Sequence, residues 1–223
     1  MNNKKSGRIT GILFIIGTAC GVASLSFLNV LKEENFLYSI NENPHKLIIG
    51  AMLVILMAIS CAGIAYSIYP VLSKYKKGLA IGSVGFRTAE SVFSIFASLT
   101  ILTLIPLAKD YAALNSESVL AAGNTILYMH DINGSLLGIT FATGALLYNI
   151  GFYQTKLLPR WISVWGIAAT LIHIIASVLA FYGVEGFSPL GLVLNMPIAL
   201  QEMVMAVYLI IFGFRHVNKL KIA

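Results

Sequence analysis

Six apolar runs constrain this chain more than any other feature: near Ile9 to Leu31, Leu47 to Tyr69, Leu79 to Ile105, Thr125 to Tyr153, Trp161 to Tyr182 and Leu190 to Phe214. Each is long enough as a helix to cross the hydrocarbon core of a bilayer, about 30 Å thick. Lipid offers no partner to backbone N–H and C=O groups, so a spanning segment must satisfy them internally. These runs are too long and too uniformly apolar for barrel strands. The expected fold is an all-α membrane protein, a six-helix transmembrane bundle forming one domain over residues 1–223. Composition agrees: 58% of the residues are hydrophobic and 11% charged, where a soluble domain has roughly a quarter charged.

The formal charge of +6 and the pI of about 9.3 would raise nucleic-acid binding in a soluble protein. Here the placement of the charges points to the lipid bilayer as partner instead, and no nucleic-acid partner is expected. Alternating the six segments puts Lys4, Lys5, Arg8, Lys74, Lys76, Lys77, Lys156, Arg160, Arg215, Lys219 and Lys221 on one side, and only Lys32, Lys46 and Lys109 on the other. By the positive-inside rule the first side is cytoplasmic, so both the N-terminus and the C-terminus are expected in the cytoplasm. Glu33, Glu34, Glu42, Asp110, Glu117 and Glu185 all fall in the external connections. Trp161 and Trp165, with Phe152 and Tyr153, are placed to anchor the cytoplasmic interface.

The basic N-terminus followed by an apolar run resembles a signal peptide, and Thr18-Ala19-Cys20 resembles a lipoprotein cleavage site. The run is too long for a signal-peptide core, however, and Gly17 stands where a large aliphatic residue is needed, so the run reads as the first membrane helix. Cys20 and Cys61 both lie in apolar segments and read as small buried hydrophobes, not as a disulfide.

At helical periodicity the polar and small residues form seams. The third segment has Ser83, Arg87, Glu90, Ser94 and Ser98. The fourth has Asp131, Ser135, Gly138, Ala142, Ala145 and Asn149; the fifth Ser163, Gly166, Thr170, His173 and Ser177; the sixth Gly191, Asn195 and Glu202. Ser, Gly and Ala seams are accounted for by close helix packing. The ionisable members are not, because each costs about 2.5–3.5 kcal/mol at the bilayer centre.

With about 1.5 Å of rise per residue from the cytoplasmic end, Arg87 lies at about 12 Å depth, Glu90 at about 17 Å, and Glu202 and His173 at about 18 Å. Asp131 and His130 come out at about 33 Å, near the outer boundary. Arg87 and Glu90, three apart, can pair on one helix face. Arg87 can neutralise only about one of the carboxylates Glu90, Asp131 and Glu202; the rest must be protonated, hydrated, paired with a charged His or neutralised by a bound cation. The candidate ligand-binding or proton-handling residues are therefore Arg87, Glu90, Asp131, His130, His173, Asn195 and Glu202. They suggest a polar cavity between helices three to six, open to the outside near Asp131 and closed at the layer of Arg87, Glu90, His173 and Glu202. Pro197 removes a backbone donor five residues before Glu202 and could free a carbonyl toward that cavity.

No cofactor is expected. Bis-His haem would need His130 and His173 at one depth, and a site from Glu90, Glu202 and His173 lacks a paired metal-ligand spacing, so no metal is expected either. His45 and His216 lie in loops.

The chain resembles a bacterial membrane family known only as domain of unknown function 4386. The likeness lies in Arg8-Ile9-Thr10-Gly11, Val84-Gly85-Phe86-Arg87 with Glu90, Leu158-Pro159-Arg160-Trp161 with Trp165-Gly166, and Pro197 with Leu200-Gln201-Glu202. It implies a six-helix protein of the bacterial cytoplasmic membrane and marks Arg87, Glu90 and Glu202 as family positions. It implies no activity.

Three functions fit these residues. The first is binding, sensing or transport of a small-molecule ligand through the polar cavity, with catalytic residues unknown. The second is a membrane-embedded enzyme acting on a lipid-soluble substrate, with Glu202 or Asp131 as general acid and His173 as base; no nucleophile, metal motif or phosphate cradle accompanies it. The third is a structural or partner-binding subunit without a ligand. The oligomeric state is not fixed by the sequence.

Overall fold

The computed structural model describes residues 3–184, 186 and 188–217. Within them the chain is helical throughout: α1 (Asn3–Leu28), a short 3-10 turn (Asn29–Lys32), α2 (Phe36–Glu42), α3 (Pro44–Leu72), α4 (Lys77–Leu114), α5 (Glu117–Thr155), α6 (Arg160–Ala180) and α7 (Pro189–Phe212). Six of these, all but α2, are long and apolar enough to cross a membrane.

The six long helices close into a ring in chain order. α1 packs on α3, α3 on α4, α4 on α5, α5 on α6, α6 on α7, and α7 returns to α1. Short connections force antiparallel neighbours, and because lipid is as apolar as the side chains, contact between helices rests on packing and polar contacts. Large aliphatics such as Ile59, Val92, Ile175 and Ile211 are accordingly exposed on the outer surface. Inside, Phe14, Ile68, Leu72, Tyr148, Phe152, Met205 and Leu209 form one apolar cluster. α1 fits closely into this ring: a Cβ on Gly11 would lie 2.5 Å from the Ala206 carbonyl oxygen of α7.

Four segments meet at one end of the ring. The Asn3 side-chain amide donates to the Arg215 carbonyl at 3.1 Å, the Arg215 N–H to Leu157 C=O at 2.9 Å, and the Tyr75 hydroxyl to Val217 C=O at 2.9 Å. The start of α1, the α3–α4 turn, the α5–α6 turn and the segment after α7, which carry the basic residues assigned to one side, thus share the terminus-side end. Lys219 and Lys221 of that set, and Glu185 of the opposite set, lie outside the described residues.

At the far end α4 and α5 extend well past the apolar runs that announced them, which stopped at Ile105 and began at Thr125. The apolar windows trace what lipid can cover, and a helix need not end there. A helix the length of α4 (38 residues) measures about 57 Å, nearly twice the hydrocarbon thickness. Lys109, Asp110 and Glu117 therefore sit on helix instead of loop. The hairpin turns at Asn115, whose backbone is left-handed (φ 44°), and Glu117 lies in the first turn of α5, where a negative charge suits the helix dipole. α2 packs against this extension through Phe36, Leu37 and Ile40, which join Leu104 and Ala108 in a second apolar cluster. The Tyr38 hydroxyl meets the Asn115 side chain at 3.2 Å.

Candidate functional site

Arg87 projects from α4 into the ring and is only 1% exposed, with Glu90 at 3% and Glu202 of α7 at 9%. The approach of α5 makes this burial possible: a Cβ on Gly144 would lie 2.9 Å from Arg87 Cγ and 3.2 Å from its backbone nitrogen. A side chain there would force α4 and α5 apart. Arg87 Nη1 lies 3.0 Å from Glu90 Oε2, so the pair expected from the i,i+3 spacing is present. The two atoms are not aligned as a hydrogen bond, and Nε, Nη1 and Oε2 have no hydrogen-bond partner. The contact is therefore an ion pair held by charge.

Glu202 is held by a residue from a third helix. The Tyr148 hydroxyl of α5 donates to Glu202 Oε1 at 2.9 Å. Arg87 has Glu90, Cys61, Glu202 and Tyr148 as its electrostatic neighbours, and the Cys61 thiol of α3 lies within hydrogen-bonding reach of the Glu90 carboxylate. One cation thus faces two carboxylates, a phenol and a thiol contributed by α3, α4, α5 and α7. Measured from the terminus-side ends of their helices, Arg87 and Glu202 lie at about 15 Å and Glu90 at about 20 Å.

The other sequence candidates lie elsewhere. By the same count His173 of α6 comes to about 20 Å, but no hydrogen bond joins it to the cluster: the Phe141 ring touches both the Arg87 guanidinium, 5.0 Å from its carbon, and the imidazole, 5.1 Å away and perpendicular. Its polar neighbour is Asn195 of α7, and its Nδ1 has no partner. Asn195 also donates weakly to Gly186 C=O at 3.4 Å. His130 Nδ1 is bound to the Thr100 hydroxyl at 3.1 Å, a contact between α5 and α4. Asp131 is exposed on the outer part of α5 and does not face the cluster. α7 runs through Pro197 without a break; the carbonyl its missing N–H leaves without a helical donor is that of Val193, further from Glu202 than Pro197 itself. Among the described residues no three His, Cys, Asp or Glu side chains converge as metal ligands do.

Sequence reasoning missed Tyr148, Cys61 and Phe141. Tyr148 had a readable signal: it lies on the inward seam three residues after Ala145, more than a turn inside the end of its apolar run. Tyrosines of membrane proteins usually sit at the interfaces, and one buried in the core needs a partner for its hydroxyl. Cys61 and Phe141 carried none, since a thiol and a ring among apolar residues look like packing.

Six apolar helices closed around a buried charged cluster define a multi-pass membrane protein with a polar heart. Within that class, the chain belongs to the family described as Domain of unknown function (DUF4386), whose model matches residues 9–213. Comparison with curated proteins and with solved structures gives no match.

Proposed function

We propose that this protein binds, senses or transports a small ligand through the cluster of Arg87, Glu90, Tyr148 and Glu202, with Glu202 taking up and releasing a proton as it does so. The observation that carries the reading is the charge balance: two carboxylates share one guanidinium in a space that excludes bulk water. An ionised pair of carboxylates there needs a second positive charge, which a proton or a small cationic ligand supplies. Tyr148 can donate to Glu202 in either of its protonation states, so the site can cycle without losing that contact.

We place the protein in a bacterial cytoplasmic membrane with both termini cytoplasmic. The basic residues gathered at the terminus-side end support that orientation.

The test is proton uptake by the protein reconstituted in liposomes, followed with a pH indicator after an acid jump. Glu202→Gln should take up about one proton fewer per chain than the wild type. Equal uptake would remove Glu202 from the mechanism.

A second reading, a purely structural cluster that fixes helix packing, draws on the close fit of Arg87 against Gly144. It expects Glu202→Gln to change thermal stability and leave proton uptake unaltered. The enzyme reading draws less support, because His173 has Asn195 and not Glu202 as its polar neighbour and Asp131 is exposed.

A further inference from the structure

Several fully buried polar side chains of this protein have no hydrogen-bond partner among the described residues, and their distribution is uneven. Besides the atoms of Arg87 and Glu90, they include the Asn149 side-chain oxygen of α5, the Ser163 hydroxyl of α6 and the Gln201 side-chain oxygen of α7. All three residues are completely buried. A buried polar group left unpaired costs about 1–3 kcal/mol, and in native proteins such groups are most often paired with ordered water.

These three belong to one place. Gln201 Nε2 donates to Ile162 C=O at 3.2 Å, which sets the Gln201 amide against the first turn of α6, beside Ser163. The Asn149 amide fills the space over Gly166, where a Cβ would lie 2.3 Å from its oxygen. Gly166 is one turn beyond Ser163 on the same helix face. Asn149 directly follows Tyr148, and Gln201 directly precedes Glu202. The unpaired oxygens thus lie on residues that neighbour Tyr148 and Glu202 in the chain, on the faces of α5 and α7 turned to α6, and lead toward Arg160, where α6 starts at the terminus-side end.

Beyond Glu90, toward the far end, the same residue types are satisfied. Ser91 donates to Ala58 C=O, Ser94 to Glu90 C=O, Ser98 to Ala51 C=O, and Asn133 to Phe93 C=O. Each donates to a carbonyl of its own helix or of a neighbour, and none of these four side chains leaves a fully buried atom without a partner, as Asn149 and Gln201 do although they donate in the same way.

We propose that a water-bridged path runs between α5, α6 and α7, past Asn149, Gln201 and Ser163, and connects Glu202 to the solvent at the terminus-side end. The inference rests on the proton-handling reading of Glu202 and adds the side from which the proton arrives. It reverses the expectation of a cavity open near Asp131. The chemistry is a simple exchange: the Glu202 carboxyl O–H bond breaks, the proton passes to a water held by the neighbouring amides, and the carboxylate remains, donor contact from Tyr148 included. The charged and titratable groups around Glu202 are Arg87 and Glu90 of α4 and Tyr148 of α5, with Cys61 of α3 beside Glu90.

Substituted-cysteine accessibility tests the path without knowledge of any ligand. Cys20 and Cys61 are replaced by Ala, and Ser163→Cys and Ser94→Cys are compared in membrane vesicles with a small water-soluble methanethiosulfonate. Both serines are completely buried, so static exposure does not distinguish them. Ser163→Cys should react about tenfold faster or more, since reaction of a buried group follows its access to water. Equal rates would overturn the proposal.

Where Ser163→Cys fails to insert or fold, infrared difference spectroscopy at acid pH gives the second measurement. The carboxylic C=O stretch that Glu202→Gln removes should exchange in D2O within the mixing time in the wild type, and about tenfold slower in Gln201→Leu. Equal exchange in the two proteins counts against the path. The outcomes separate from those of the proton-uptake test: a reactive Ser163→Cys with unaltered uptake in Glu202→Gln keeps the wet path and loses the proton role. An inert Ser163→Cys with uptake lost does the reverse.

Discussion

The two halves of the ring carry the same small polar residues and use them differently. On the far side of Glu90, serines and Asn133 close onto backbone carbonyls, and the outer hairpin with α2 adds a conventional apolar core. On the terminus side Thr10, Ser67 and Thr155 close onto backbone carbonyls too, but Asn149, Ser163 and Gln201 each leave an oxygen unpaired near the charged cluster. A hydroxyl that bonds its own helix four residues back is neutral packing material. An amide oxygen that finds no donor in a fully buried setting is a group the surroundings must complete. Ser, Asn and Gln in a membrane helix therefore say little by type; their partners decide whether they mark a seam or a path.

The largest expected effect breaks the comparison at its centre. Arg87→Met leaves two buried carboxylates without a counter-charge, and should destabilise the protein by about 3–5 kcal/mol. In detergent this should show as loss of monomeric protein at temperatures the wild type survives. Adding Glu90→Gln and Glu202→Gln to Arg87→Met should restore most of the loss, because the uncompensated charge is then gone. A single variant as stable as the wild type would show that the cluster carries no net charge to balance.

An intermediate effect is expected at Gly166. A methyl there would fall 2.3 Å from the Asn149 oxygen, so Gly166→Ala must displace the amide or push α6 from α5, at about 1–3 kcal/mol. Gly123→Ala in the outer hairpin meets only the Leu37 and Phe36 side chains, at 3.1 Å or more, and serves as the control. If both variants melt with the wild type, the Asn149 contact is looser than the geometry describes.

Much of this architecture was legible in the sequence, because lipid makes local rules decisive. A run such as Leu47 to Tyr69 can only span, and the basic residues that flank the runs sort to one end, where Asn3, Tyr75, Leu157 and Arg215 are seen to meet. Helix ends beyond the apolar runs were not legible: no apolar run of membrane length covers residues 106–124, and the hairpin there depends on α2 folding back onto it. For the site, depth counting brought Arg87, Glu90 and Glu202 together, since rise per residue is fixed. Rotation about the bundle is not fixed by rise, so the same count could not see that His173 turns to Asn195 or that Asp131 is exposed. The seam position of Tyr148 was readable, but its partner was not, because Glu202 arrives from another helix.

The smallest effect sharpens the comparison most finely. Ser98 donates to Ala51 C=O at 3.2 Å and to Ser94 C=O at 3.3 Å, and its removal in Ser98→Ala deletes a long, shared contact inside a dry seam. The cost should be about 0.6 kcal/mol, the average for polar contacts between membrane helices. Ser83, one turn before Arg87 and equally buried, has no protein partner for its hydroxyl. In a dry interior Ser83→Ala should then be neutral or stabilising, since it removes an unpaired polar group. If water reaches this side of the ring, the hydroxyl is hydrated, and Ser83→Ala should cost about as much as Ser98→Ala. Paired thermal melts of the two variants in the same detergent therefore read whether the terminus-side half is wet without touching any charged residue.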